Sequence, residues 1–139
     1  MKVLMLSNGS SGLYGFRKEL ISELLKNNSV ILSARFSGFE SELCEMGCQL
    51  IDTPMERRGK NPFQEFSLIL NYFKQIKRLH PDLVITYTIK PNLYGGLICR
   101  ILNIPYAVNI TGLGTVFQNQ GLLRKAIRLF YIFSLKKLK

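Results

Sequence analysis

The 139-residue chain has no tryptophan, one histidine (His80), three cysteines and five prolines. Scarce proline and an apolar content of 47% describe a globular chain, long enough for one domain with a real core. No run of about 18 apolar residues is present, so no membrane-spanning helix is expected. The apolar run before Ser7-Asn8-Gly9 is too short for a signal peptide. Cys44, Cys48 and Cys99 are therefore expected as reduced, buried structural thiols, and with a single histidine they complete no zinc set. His80 stands before an apolar run, on the side away from any expected cleft. No Ser/His/Asp set and no close carboxylate pair is visible. A chain without its own acid or base fits half an active site better than a whole one.

Acidic residues are missing from the last two-fifths of the chain. Residues 1–82 hold 11 Lys/Arg against 9 Asp/Glu, and residues 83–139 hold 8 Lys/Arg and no acid. The formal net charge is +10. That asymmetry points to an anionic partner such as phosphate groups or a membrane surface. Arg124, Lys125, Arg128, Lys136 and Lys139 fall on roughly one face of a final helical pattern over 122–139, a face suited to an anionic bilayer. The same pattern also describes a helix packed on a sheet with solvated lysines. No zinc-finger, helix-turn-helix or RNA-recognition signature is present, so nucleic acid is not an expected partner.

What the chain does have is alternation. Short apolar runs at 3–6, 30–33, 48–51, 83–86 and 106–110 read as strands. Between them lie helical repeats. The first carries Leu13, Phe16, Leu20, Ile21, Leu24 and Leu25, with Ser10 or Ser11 placed to cap. The second spans Phe39 to Met46 and is closed by Gly47. The third is capped by Asn61-Pro62 and should bury Phe66, Ile69, Leu70, Phe73 and Ile76. The fourth starts at Pro91-Asn92. This order predicts an α/β, Rossmann-like parallel sheet with helices on both faces, strand order 3-2-1-4-5, with a flavodoxin-like order as the alternative.

In such sheets ligands bind beyond the carboxyl ends of the strands. The first strand runs there into Asn8, Gly9, Ser10, Ser11 and Gly12, a loop whose glycines admit close backbone approach to an anion at the next helix start. Arg57, Arg58, Gly59 and Lys60 follow the third strand. Tyr87, Thr88, Lys90 and Asn92 follow the fourth, and Asn109, Thr111, Gly112, Gly114 and Thr115 the fifth. The dinucleotide pattern G-x-G-x-x-G is absent, and the second strand ends Ser33-Ala34-Arg35 rather than in an acid. Arg35 leaves an NADP 2′-phosphate open as a minor reading. No Walker loop follows the glycines.

SNGSSGLYGFRKELI, ERRGKNP, PDLVITYTIKPNLYGG and PYAVNITGLGT, in that order, resemble the N-terminal domain of family 4-like bacterial glycosyltransferases. The resemblance covers nearly the whole chain. It implies the acceptor-side half of a GT-B fold, in an enzyme that transfers a sugar from a nucleotide-sugar to a lipid-linked glycan in capsule or O-antigen synthesis. Asn8 to Gly12 would then border the donor diphosphate. Arg57, Arg58, Lys60, Tyr87, Thr88, Lys90, Asn92, Asn109, Thr111 and Gly112 would line the acceptor side. Arg124, Lys125, Arg128 and Lys136 would face a membrane. No metal or cofactor is implied, and the place implied is the inner face of the cytoplasmic membrane. Because the sequence stops at Lys139, the donor domain is expected outside it, in a truncated frame or in a separate chain. The single domain over 1–139 is then inactive alone. The competing class is a non-enzymatic module that binds membranes or anions.

Overall fold

A computed structural model describes residues 1–57, 61–111, 121, 125, 128, 129 and 132. Five parallel strands form one sheet: β1 (Lys2–Leu6), β2 (Ser29–Ala34), β3 (Gln49–Asp52), β4 (Leu83–Tyr87) and β5 (Tyr106–Asn109), in the order β3-β2-β1-β4-β5. This is the doubly wound order read from the alternation. The sheet's first branch point lies between β1 and β4, where the chain switches direction after β3. Register is continuous through the centre, with Leu4 opposite both Ile31 and Val84.

The sheet is covered on both faces, which is why β1 is apolar from Val3 to Leu6 without a break rather than at alternate positions. Val3, Met5, Val30 and Leu32 meet Leu13 and Ile21 of α1 (Ser10–Leu25) and Leu43 of α2 (Glu40–Glu45). On the other face Leu4, Leu6, Ile31 and Val84 meet Leu68, Tyr72 and Ile76 of α3 (Pro62–Leu79) and Ile98 and Cys99 of α4 (Gly96–Ile101).

The helix starts differ in their chemistry. Asn61 caps α3 as expected, its side-chain oxygen accepting from Phe63 N at 3.0 Å with Pro62 in the first turn. Neither serine caps α1. Gly9 holds the cap position with no side-chain bond, and Ser10 is already helical. Its Oγ is turned away to accept from Ser37 N at 3.2 Å. Helical backbone reaches Lys90 before Pro91, then widens through a π-helical turn (Pro91–Gly95) into α4, so the fourth helix begins earlier than Pro91 suggests.

Two helix faces and one thiol depart from the sequence pattern. On α1, Leu13 and Ile21 are buried, whereas Phe16 and Leu20 are exposed. On α3 the inward stripe is Leu68, Tyr72, Gln75 and Ile76, and Phe66 and Leu70 point outward. Of the expected stripe, Ile76 is buried and Ile69 and Phe73 pack against the core, so the buried face is rotated from the expected one rather than opposite to it. Cys44 is exposed rather than buried, because Leu43 takes the inward position on α2. Cys48 and Cys99 are buried, and burial pushes their thiols up to about 11 and about 12. The helix expected over 122–139 lies largely outside the described residues. Lys125, Arg128, Leu129 and Ile132 are helical and exposed.

Candidate functional site

All the loops that follow the strands emerge at one edge of the sheet. There, a cavity of about 560 Å³ is lined by Ser7, Asn8, Ser11, Gly12, Leu13, Phe16, Arg17, Arg57, Tyr87, Thr88 and Thr111. Residues from the ends of β1, β3, β4 and β5 thus converge, as the branch-point rule requires. Seven of the sequence-selected residues line it: Asn8, Ser11, Gly12, Arg57, Tyr87, Thr88 and Thr111.

Gly12 explains the glycine-rich start of α1 better than turn chemistry does. It is helical, and a Cβ built on it would meet no atom within 4 Å. The fold itself therefore does not demand glycine here. The missing side chain widens the cavity instead. Ser10 N donates to Arg35 O at 3.3 Å, and no side chain caps the helix, so the next first-turn N–H groups have no side-chain acceptor.

Thr88 follows β4 with φ +71°, a left-handed conformation that a β-branched residue adopts only under strain. Its buried Oγ1 has no hydrogen-bond partner. Arg17 lays its guanidinium over the Tyr87 ring, 5.0 Å from the centroid. Burial raises the Tyr87 hydroxyl's pKa, and the Arg17 charge and the Asn109 side chain offset part of that rise. Among the described lining residues no side chain is a carboxylate or an imidazole, while two, Arg17 and Arg57, carry guanidinium groups. The cavity is thus built to receive negative charge.

The other selected residues stand around this cavity. Lys90 forms an ion pair with Glu65 and donates to Glu56 O at 2.6 Å, and Glu65 also accepts from the Tyr94 hydroxyl. Burial, reinforced by Glu65, holds the Tyr94 hydroxyl far above its usual range. Asn92 is buried and donates from Nδ2 to Asn109 O at 3.1 Å, tying the turn after β4 to the end of β5. Gly9 and Ser10 pack against the segment after β2. Arg35 donates to Met55 O at 3.4 Å and is not a lining residue, which gives the NADP reading no support. Arg58, Gly59, Lys60, Gly112, Gly114, Thr115, Arg124, Lys136 and Lys139 lie outside the described residues. Among the described residues no group of three or more His, Cys, Asp or Glu side chains could hold a metal ion. No described helix is long and apolar enough to cross a membrane.

Sequence reasoning missed Phe16 and Arg17. The signal was available: Gly12, Leu13, Phe16 and Arg17 share one side of a helix at spacings of three to five. Phe16 stands in the helical repeat as a core position, and Arg17 falls outside that repeat.

Similar architecture occurs in longer proteins. MurG of Acinetobacter baumannii matches at 20% identity with a TM-score of 0.60, over 93% of this chain and 39% of that one. Anabaena Alr3699/HepE, solved in complex with UDP, matches at 14% and 0.65, over 97% and 35%. The UDP-GlcNAc 2-epimerase of Methanocaldococcus jannaschii matches at 16% and 0.63, over 96% and 37%. The chain thus spans well under half of each, and at these identities the likeness is one of fold. No curated protein matches the sequence. The family model described as glycosyl transferase 4-like matches residues 2–138, and the chain belongs to that family.

Proposed function

We propose that this domain is the acceptor-side half of a glycosyltransferase that moves a sugar from a nucleotide-sugar to a lipid-linked glycan. The observation that carries this reading is the convergence of the Gly12 helix start, Arg57, Tyr87-Thr88 and Thr111 in one cation-lined, carboxylate-free cavity of a glycosyl transferase 4-like chain. The UDP bound by the Anabaena neighbour supports a nucleotide-sugar donor. The uncapped first turn of α1 receives the donor's diphosphate, whose charge its N–H groups and the helix dipole stabilise. Arg17 and Arg57 add positive charge, and Thr88 and Thr111 offer hydroxyls to the acceptor. Capsule or O-antigen assembly at the inner face of the cytoplasmic membrane is the setting proposed. The donor-binding half is supplied by a second domain or a second chain. Residues 1–139 alone bind and orient but do not turn over.

Two measurements test this. Calorimetric titration with UDP and with a prenyl diphosphate should give binding to the parent that Gly12→Val abolishes while leaving the melting temperature intact. Equal binding by both proteins removes the α1 start from the site. Incubation with a panel of nucleotide-sugars and lipid-linked acceptors should release no nucleoside diphosphate above blank. Acceptor-dependent release would show that these residues suffice.

A further inference from the structure

Arg17 and Arg57 both line the cavity, and neither forms an ion pair with a described carboxylate. Arg57 is exposed and can be solvated. Arg17 is held differently. Its guanidinium carbon stands 5.0 Å from the centre of the Tyr87 ring, and Tyr87 is 3% exposed. The hydrogen bond it makes among the described residues is a long one, from Nη1 to Phe16 O at 3.5 Å. A guanidinium carries its N–H donors in a planar fork. A ring beneath it covers one face and leaves the edges for a ligand. Next to Tyr87 in the chain, Thr88 also lines the cavity, and its buried Oγ1 has no hydrogen-bond partner.

The place of this pair relative to the start of α1 narrows what it reads. Gly12, Leu13, Phe16 and Arg17 all line the cavity from α1. Arg17 is five residues past Gly12, about 7.5 Å further along the helix axis. With a diphosphate at the first turn, the sugar attached to it passes over Gly12, where no side chain stands in the way. Its far side then comes to Arg17 and Thr88. The phosphates are already met by the first-turn N–H groups, so the anion left for Arg17 is one on the sugar. A neutral hydroxymethyl group there would meet one donor of the fork and leave the charge unanswered. A carboxylate accepts two parallel N–H bonds from the fork and neutralises it. A remaining lone pair of that carboxylate can accept from the Thr88 hydroxyl.

We propose that Arg17, set on Tyr87, selects an acidic sugar: the ring attached to the bound diphosphate is a hexuronate whose carboxylate is gripped by the Arg17 fork. This rests on the diphosphate placement in the proposed function and goes beyond it by naming the class of sugar. The uronate enters either on the nucleotide donor or on the prenyl diphosphate acceptor.

Matched probes read the selection as a ratio of affinities. UDP-glucuronate against UDP-glucose tests the donor, and prenyl diphosphate-linked glucuronate against its glucose equivalent tests the acceptor. In calorimetric titration the acidic member of one pair should bind the parent roughly 10- to 100-fold more tightly than the neutral member. Arg17→Gln should abolish that preference. Arg17→Lys, which keeps the charge but not the fork, should leave only a few-fold preference. Tyr87→Phe keeps the ring and should hold the ratio, whereas Tyr87→Leu should lower it. A merely structural role for Arg17 would lower both affinities together and leave their ratio where it was. Equal affinities within both pairs for the parent overturn the inference, while Gly12-dependent binding of UDP keeps the proposed function. A preference that Arg17→Lys preserves in full also overturns it, because a point charge then suffices. An Arg17-dependent preference that survives Gly12→Val keeps the acidic sugar and removes the diphosphate from the helix start. No binding of any probe sinks both.

Discussion

Gly95 is the position where the fold leaves least room. A Cβ built there would lie 2.6 Å from Leu6 Cδ1 and 3.1 Å from Thr86 Cγ2. Unstrained carbon contacts are about 3.5–4.0 Å, so a methyl group overlaps Leu6 by about 1 Å. Neither neighbour can yield easily. Leu6 and Thr86 are both fully buried, and Thr86 is β-branched and stiff at χ1. Overpacking of this kind costs about 1–3 kcal/mol. Replacing glycine in a helical segment returns up to about 1 kcal/mol through backbone entropy. The net expectation for Gly95→Ala is a loss of about 1–2 kcal/mol, a fall in melting temperature of roughly 3–8 °C for a domain this size. Urea unfolding followed by circular dichroism would measure it. Leu6→Val removes the offending Cδ1, so the double variant should show a favourable coupling of at least about 0.5 kcal/mol relative to additivity. A Gly95→Ala protein as stable as the parent, or a strictly additive cycle, would refute this account of the contact.

Thr88→Asn should relieve the left-handed strain and raise stability by about 1 kcal/mol, while weakening ligand binding in the cavity. Thermal melts paired with UDP titrations separate the two effects, and a destabilised variant would sink the strain argument. Asn61→Ala should cost about 1 kcal/mol by uncapping α3, read as a lower urea midpoint at constant slope. With Ellman's reagent near about pH 8, the native protein should show one fast thiol, Cys44, and three after denaturation. Burial and the raised pKa of Cys48 and Cys99 protect the other two; two or more fast native thiols would contradict their placement.

The strand order was readable because each apolar run is short and bounded by turn residues, and because parallel crossovers allow few arrangements. The strands begin or end within one residue of the sequence pattern. Helix existence was legible for the same reason, and the buried face was legible in part: Leu13, Ile21 and Ile76 are buried as expected, whereas Phe16, Leu20, Phe66 and Leu70 are exposed. On α3, Phe63, Phe66 and Leu70 satisfy the same spacing as Leu68, Tyr72 and Ile76, and only the sheet decides which stripe is buried. The carboxyl-edge loops were legible through their glycine and polar content, which placed Asn8, Gly12, Arg57 and Thr88 together. Arg17 was not, because its role comes from stacking on Tyr87, a contact between residues 70 positions apart. Lys90 read as a cavity cation. Its engagement with Glu65 depends on how α3 crosses the end of β4.

That Lys90 knot has a mechanical meaning. Glu65 sits two residues from Phe63, in the first turns of α3, and grips both Lys90 and Tyr94 in the turn after β4. Lys90 in turn holds the carbonyl of Glu56, next to Arg57 at the cavity wall. A push on the outer side of α3's first turns therefore has a path of two polar contacts, Glu65 to Lys90 and Lys90 to Glu56 O, to the loop that carries Arg57. Loading at the surface of the domain and the shape of its cavity are joined by one clamp. Glu65→Gln should loosen that clamp without touching either the exposed stripe or the lining residues.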